Sequence, residues 1–168
     1  MRVRVSSRDL TRYPHQDASL CNALFNMVYV ASKKGTLKPA MVIVRDEQVD
    51  WYDVGPVFQN PRKTTRKLLA AVAAQDGVEC AALLGVFNVD NVRRKQPAKS
   101  VLCYVEWPDN RWIMKWQHIR NGKVVGEPQF SSATDGFARP SGLGGWFSYA
   151  RRTRLQLRMT HNAETSIH

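Results

Sequence analysis

The chain has 168 residues, 43% of them apolar, and carries 25 Lys and Arg against 14 Asp and Glu, a net charge of +11. That length supports one domain with a genuine core and leaves no room for two well-formed ones with arms to spare. No stretch approaches the run of about 18 apolar residues that a membrane span needs, and the start, MRVRVSSRDLTRYPHQ, is charged where a secretory leader would be apolar. A membrane partner is therefore excluded, and an intracellular, cytoplasmic protein is expected.

Residues 1–16 form a basic N-terminal arm, with Arg2, Arg4, Arg8 and Arg12 against Asp9. A helix follows over residues 17–34, capped by Asp17 or Ser19, with Leu20, Leu24, Met27, Val28 and Ala31 as its apolar stripe and Lys33 and Lys34 before Gly35 as its stop. Two β-rich runs, 40–45 and 48–54, flank the polar turn Arg45–Gln48 as a hairpin. Gly55 and Pro56 interrupt, and Asn60–Pro61 opens a second helix, an N-cap followed by proline, that reaches Asp76–Gly77 and buries Leu68, Leu69, Val72 and Ala73.

From Glu79 the pattern turns to strands, at 80–89, 100–107, 111–120 and 123–130. Pro108–Asp109–Asn110 makes one turn, and Asn121–Gly122 is the pair a two-residue type I′ hairpin prefers. Alternation places Trp112, Met114, Trp116 and His118 on one face, with Arg111, Ile113, Lys115 and Gln117 on the other. Residues 90–99 read as a basic loop, and SSATDGFARPSGLGGW, rich in Ser, Gly and Pro, as a flexible connection to a last short strand or helix. The fold class is α+β: a single domain with a mainly antiparallel sheet of about six strands, two helices packed on it, and basic terminal arms. Residues 17–130 form the core; residues 131–168 form a Gly/Ser-containing linker and a basic C-terminal arm, in which residues 137–168 carry five Arg against Glu164.

Three cysteines, Cys21, Cys80 and Cys103, are widely spaced in apolar stretches. They read as buried free thiols, with neither a disulfide framework nor a metal knuckle. His15, His118, His161 and His168 lack metal-ligand spacing, so no cofactor is expected. Asp50, Asp53 and Glu106 would suggest a metal-dependent nuclease only if their strands brought them together. The glycines of GLGG are not followed by the Lys-Ser or Lys-Thr of a phosphate-binding loop, which excludes that nucleotide site.

Three basic clusters remain. Arg62, Lys63, Arg66 and Lys67 crowd the start of the second helix, where the dipole disfavours cations by several tenths of a kcal/mol each. A phosphate held by free amides and by Thr64 and Thr65 would reverse that sign; neutralisation by Glu47, Asp50 or Asp53 is the plainer account. Arg93, Arg94 and Lys95 occupy the basic loop, and Arg151, Arg152, Arg154 and Arg158 follow Trp146 and Tyr149, which are suited to stacking on bases. Trp112 and Trp116 read as core. The clusters point to a nucleic-acid-binding protein of low sequence specificity, with DNA or RNA held by its phosphate backbone. Two alternatives use the same charge: a small nuclease or phosphotransfer enzyme, for which no catalytic motif is recognisable, and an adaptor docking on an acidic protein or a nucleoprotein assembly.

Overall fold

Apolar residues fill both faces of the central strands, so the sheet must be covered on both sides. In β2 (Ala40–Arg45), Met41 and Ile43 enter one core, and Val42 and Val44 the other. The computed structural model, which describes residues 3–4, 14–33, 37–45, 48–89, 98–133 and 144–154, shows how the covering is done. Strands β1 (Val3–Arg4), β2, β3 (Gln48–Asp53), β4 (Val78–Val89), β5 (Ala98–Glu106), β6 (Trp112–Arg120) and β7 (Lys123–Ser132) form one antiparallel sheet in the order β1-β3-β2-β4-β5-β6-β7. Helix α1 (Pro14–Lys33) lies on one face, packing Cys21, Leu24, Phe25 and Val28 against Val42, Val101 and Cys103. Helix α2 (Arg62–Ala73) and α3 (residues 146–154) share the other face, where Leu69, Ala70, Trp146 and Phe147 meet Met41, Leu83, Leu102 and Tyr104.

The turns follow their sequence signals. Asn121 (φ 51°) and Gly122 (φ 74°) both take the positive φ that joins β6 to β7 in a tight hairpin. Between β5 and β6, Asn110 (φ 73°) closes the turn, its N–H bonding to Trp107 O at 3.1 Å. The outer edge of β7 is interrupted by Gly126 (φ 74°) and Pro128 where the register with β6 shifts, which blunts further strand pairing.

Several expectations are corrected. Helix α1 begins at Pro14, ahead of the expected Asp17 or Ser19 cap, and Met27 is exposed because the stripe through Cys21 and Phe25 faces the sheet instead. Asn60 does not cap α2; it ends a short 3-10 helix (Gly55–Gln59), donating its amide to Val57 O at 3.1 Å, and Pro61 stands at the α2 N-cap without a side-chain bond. The buried face of α2 is Thr65, Leu69, Ala70 and Ala73. Leu68 faces outward and Val72 is half-buried, because the small alanines let the helix approach the strands along their own stripe. The segment from residue 131 is not all linker and arm: β7 runs to Ser132, and α3 is a third helix belonging to the packed body.

The three thiols are free and buried. Cys21 Sγ lies 3.8 Å from Cys103 Sγ, and burial, with that contact, pushes the Cys103 thiol well above its ordinary value of 9.0. The folded state thus holds this proton more tightly than the unfolded chain does. Its stabilising effect is complete below the ordinary value and is lost as pH rises toward the folded one. Between about pH 8 and about pH 10, wild type is therefore expected to lose more unfolding free energy than Cys103→Ala, as measured by urea denaturation. Equal losses in the two proteins would contradict the assignment.

Candidate nucleic-acid interface

The first turn of α2 contains no acidic residue, so the cations there meet the dipole uncompensated from within the helix. Arg62, Lys63 and Lys67 are exposed and Arg66 is half-buried. Of the hairpin carboxylates expected to neutralise them, Asp50 pairs with Arg45 at 2.8 Å and Asp53 accepts the Gly55 N–H at 2.9 Å, while Glu47 lies outside the described residues. Among the described residues Lys63 and Lys67, one helical turn apart, make no ion pair. Of the two threonines expected to help hold an anion, only Thr64 is exposed. Thr65 is buried, its hydroxyl directed at Val57 O (3.0 Å) and Asn60 O (3.1 Å), which fastens the start of α2 to the preceding 3-10 helix.

Helix α3 reaches the same face by a different device. Glu106 at the end of β5 is fully buried, and its Oε2 accepts the Gly145 N–H at 2.6 Å and the Tyr104 hydroxyl at 2.8 Å. Its Oε1 faces the Phe147 N–H at 3.4 Å. A strand carboxyl therefore caps the N-terminus of α3, at the helix end where the dipole favours it. Gly144 permits the approach, since a Cβ there would stand 2.0 Å from Tyr104 Oη. Gly144 and Gly145 of the GLGG run thus serve the docking of α3 on the sheet.

This geometry sorts the expected binding residues. Trp146 is 0% exposed, with its ring edge-on to Tyr104 at a centroid distance of 5.2 Å; it is core and offers no face to a base. Tyr149 is half-buried, with the Arg66 guanidinium 5.5 Å from its ring centre. Arg154 donates to Ala74 O (2.6 Å) at the C-terminal end of α2, and Arg151 to Pro108 O (2.6 Å) and Asn110 Oδ1 (2.9 Å). Both therefore fasten α3 to the body although exposed, and Arg152 is exposed as well. The α2 and α3 clusters, distant in sequence, lie on neighbouring helices of one face, joined at Arg66 and Tyr149. Arg93, Arg94, Lys95 and Arg158 fall outside the described residues.

The remaining candidates are dispersed. Trp112 is buried in the core, as its spacing implied, and Trp116 is half-buried against it. Asp50, Asp53 and Glu106 are separately engaged, and the described residues contain no group of three or more His, Cys, Asp or Glu placed to hold a metal. His118 Nδ1 lies 2.9 Å from Ser100 Oγ, a pair that only the register of β5 on β6 reveals. Ser100 is fully buried, so its hydroxyl orients the ring and is closed to a substrate. Among the described residues no helix is long and apolar enough to cross a membrane. Compared with known proteins, the chain matches no family model, no curated protein and no solved structure.

Proposed function

We propose that this protein binds nucleic acid, DNA or RNA, in the cytoplasm, through phosphate contacts of low sequence specificity made by the α2–α3 face. The supporting observation is the convergence of two basic clusters on adjacent helices, with Lys63, Lys67 and Arg152 exposed and Asp50 and Asp53 of the hairpin bonded to other groups. Cations aligned across neighbouring helices suit a chain of phosphates better than a single acidic group.

The test is a fluorescence-anisotropy titration of single- and double-stranded DNA and RNA at low and physiological salt. Truncation ahead of α3 would remove part of the core, so substitutions are the cleaner probe. Replacing Lys63, Lys67 and Arg152 together by Ala is expected to weaken binding about tenfold and to make the log–log salt slope shallower by about 2 to 3, one counterion contribution per lost contact. An unchanged affinity and slope would overturn this placement of the interface. Cleavage of the labelled strand would favour the nuclease reading. Capture of an acidic protein without affinity for free nucleic acid would favour the adaptor.

A further inference from the structure

We infer that the ligand is single-stranded nucleic acid, its bases stacked on an aromatic strip that the sheet presents beside the start of α2; this rests on the nucleic-acid reading above. The strip follows from register. Phe87, Ser100, His118 and Val125 are successive cross-strand partners on β4 to β7, and the neighbouring row is Gly85, Leu102, Trp116 and Gln129. Gly85 carries no side chain, and the Phe87 ring occupies the space, lying 2.8 Å from where a Cβ would be. Phe87 and Trp116 thus stand on either side of the buried Leu102. Phe58, from the 3-10 helix, extends the strip, with its ring centre 5.2 Å from that of Phe87.

Burial falls along this face in a directed way. Trp112 and Met114 on β6 are enclosed beside α3, Trp116 and His118 further along are half-buried, and Val125 and Gln129 on β7 are exposed. Phe58, Phe87 and Trp116 are half-buried at the margin of this core, so each residue keeps part of its surface in solvent. Charge complementarity selects the occupant. The bond from Thr65 to Val57, the residue before Phe58, ties the start of α2, which carries Arg62 and Lys63, to the 3-10 helix that carries Phe58. Tyr149 and Arg66 continue the interleaving of rings and cations along α2. Flat rings beside cations match a strand whose bases are unpaired and whose phosphates run alongside, whereas a duplex keeps its base faces stacked within itself.

The experiment titrates the full chain with three probes of equal phosphate number: a single-stranded oligothymidylate, the same backbone with abasic sites, and a duplex. The base-bearing single strand is expected to bind about tenfold or more tightly than the abasic one, since stacking adds to the phosphate contribution. Phe58→Leu and Trp116→Leu, which keep apolar bulk, are expected to shrink that ratio while leaving abasic binding unchanged. Equal affinity of the wild-type protein for base-bearing and abasic strands, or tighter binding to the duplex, overturns the inference and leaves the phosphate-binding reading standing. Absence of binding to all three probes overturns both. Where a variant fails to fold, the comparison of probes on the wild-type protein decides alone.

Discussion

Glu106→Ala is expected to destabilise the protein by about 3 kcal/mol and to free α3 from the sheet, because it removes one carboxyl that several buried donors share. The Tyr104 hydroxyl and the Gly145 N–H would both lose an acceptor in a region from which water is excluded, and the missing side-chain atoms would leave a void. Glu106→Gln is the informative partner. Its carbonyl can still accept from Tyr104 and Gly145, but its amino group would face the Phe147 N–H, donor to donor, so a loss of about 1 kcal/mol is expected. Urea denaturation gives the two free energies, and amide hydrogen exchange over residues 146–154 reports whether the loss is local to α3. A loss for Glu106→Ala below about 1 kcal/mol, with exchange in α3 unchanged, would mean that Trp146 and Phe147 hold the helix without the cap.

The sheet was legible in the sequence where its signals were local. Alternation in RWIMKWQHIR and the Asn121–Gly122 turn placed β6 and its junction with β7 within a residue. The third helix was legible only as a choice between a short strand and a helix, and its docking on the sheet was hidden for a physical reason: its cap, Glu106, lies far away on β5 within an apolar run, and the Gly144 that admits it belongs to a stretch with the composition of a flexible linker. Trp146, beside Gly145 and followed by arginines, resembled a stacking residue, yet it is the largest fully buried side chain among the described residues. The basic clusters were visible as composition. What the sequence withheld was their division into cations that fasten α3, Arg151 and Arg154, and cations that face outward, Lys63, Lys67 and Arg152. The aromatic strip was hidden in a similar way, since Phe58, Phe87 and Trp116 belong to three separate elements and meet only through strand register and the fold of the 3-10 helix.

Gly144→Ala is expected to destabilise by about 3 kcal/mol, comparable to loss of the cap although it adds only one methyl group. The new carbon would stand 2.0 Å from Tyr104 Oη and 2.5 Å from Cζ, so either the ring or the backbone must move. The ring is held on two sides, by its hydroxyl on Glu106 at 2.8 Å and by the edge-on contact with Trp146. The backbone is held by the Gly145 N–H on the same carboxyl. Relief therefore requires breaking the unit that docks α3. Residues in such contact do not behave additively. Combining Gly144→Ala with Tyr104→Leu, which removes the obstructing ring, is thus expected to cost at least about 1 kcal/mol less than the sum of the single changes. Additive losses would place the strain elsewhere. Because α3 carries Arg152 and the Tyr149 ring that meets Arg66, Gly144→Ala should also weaken oligonucleotide binding, and by less at temperatures where the docked helix is still fully populated.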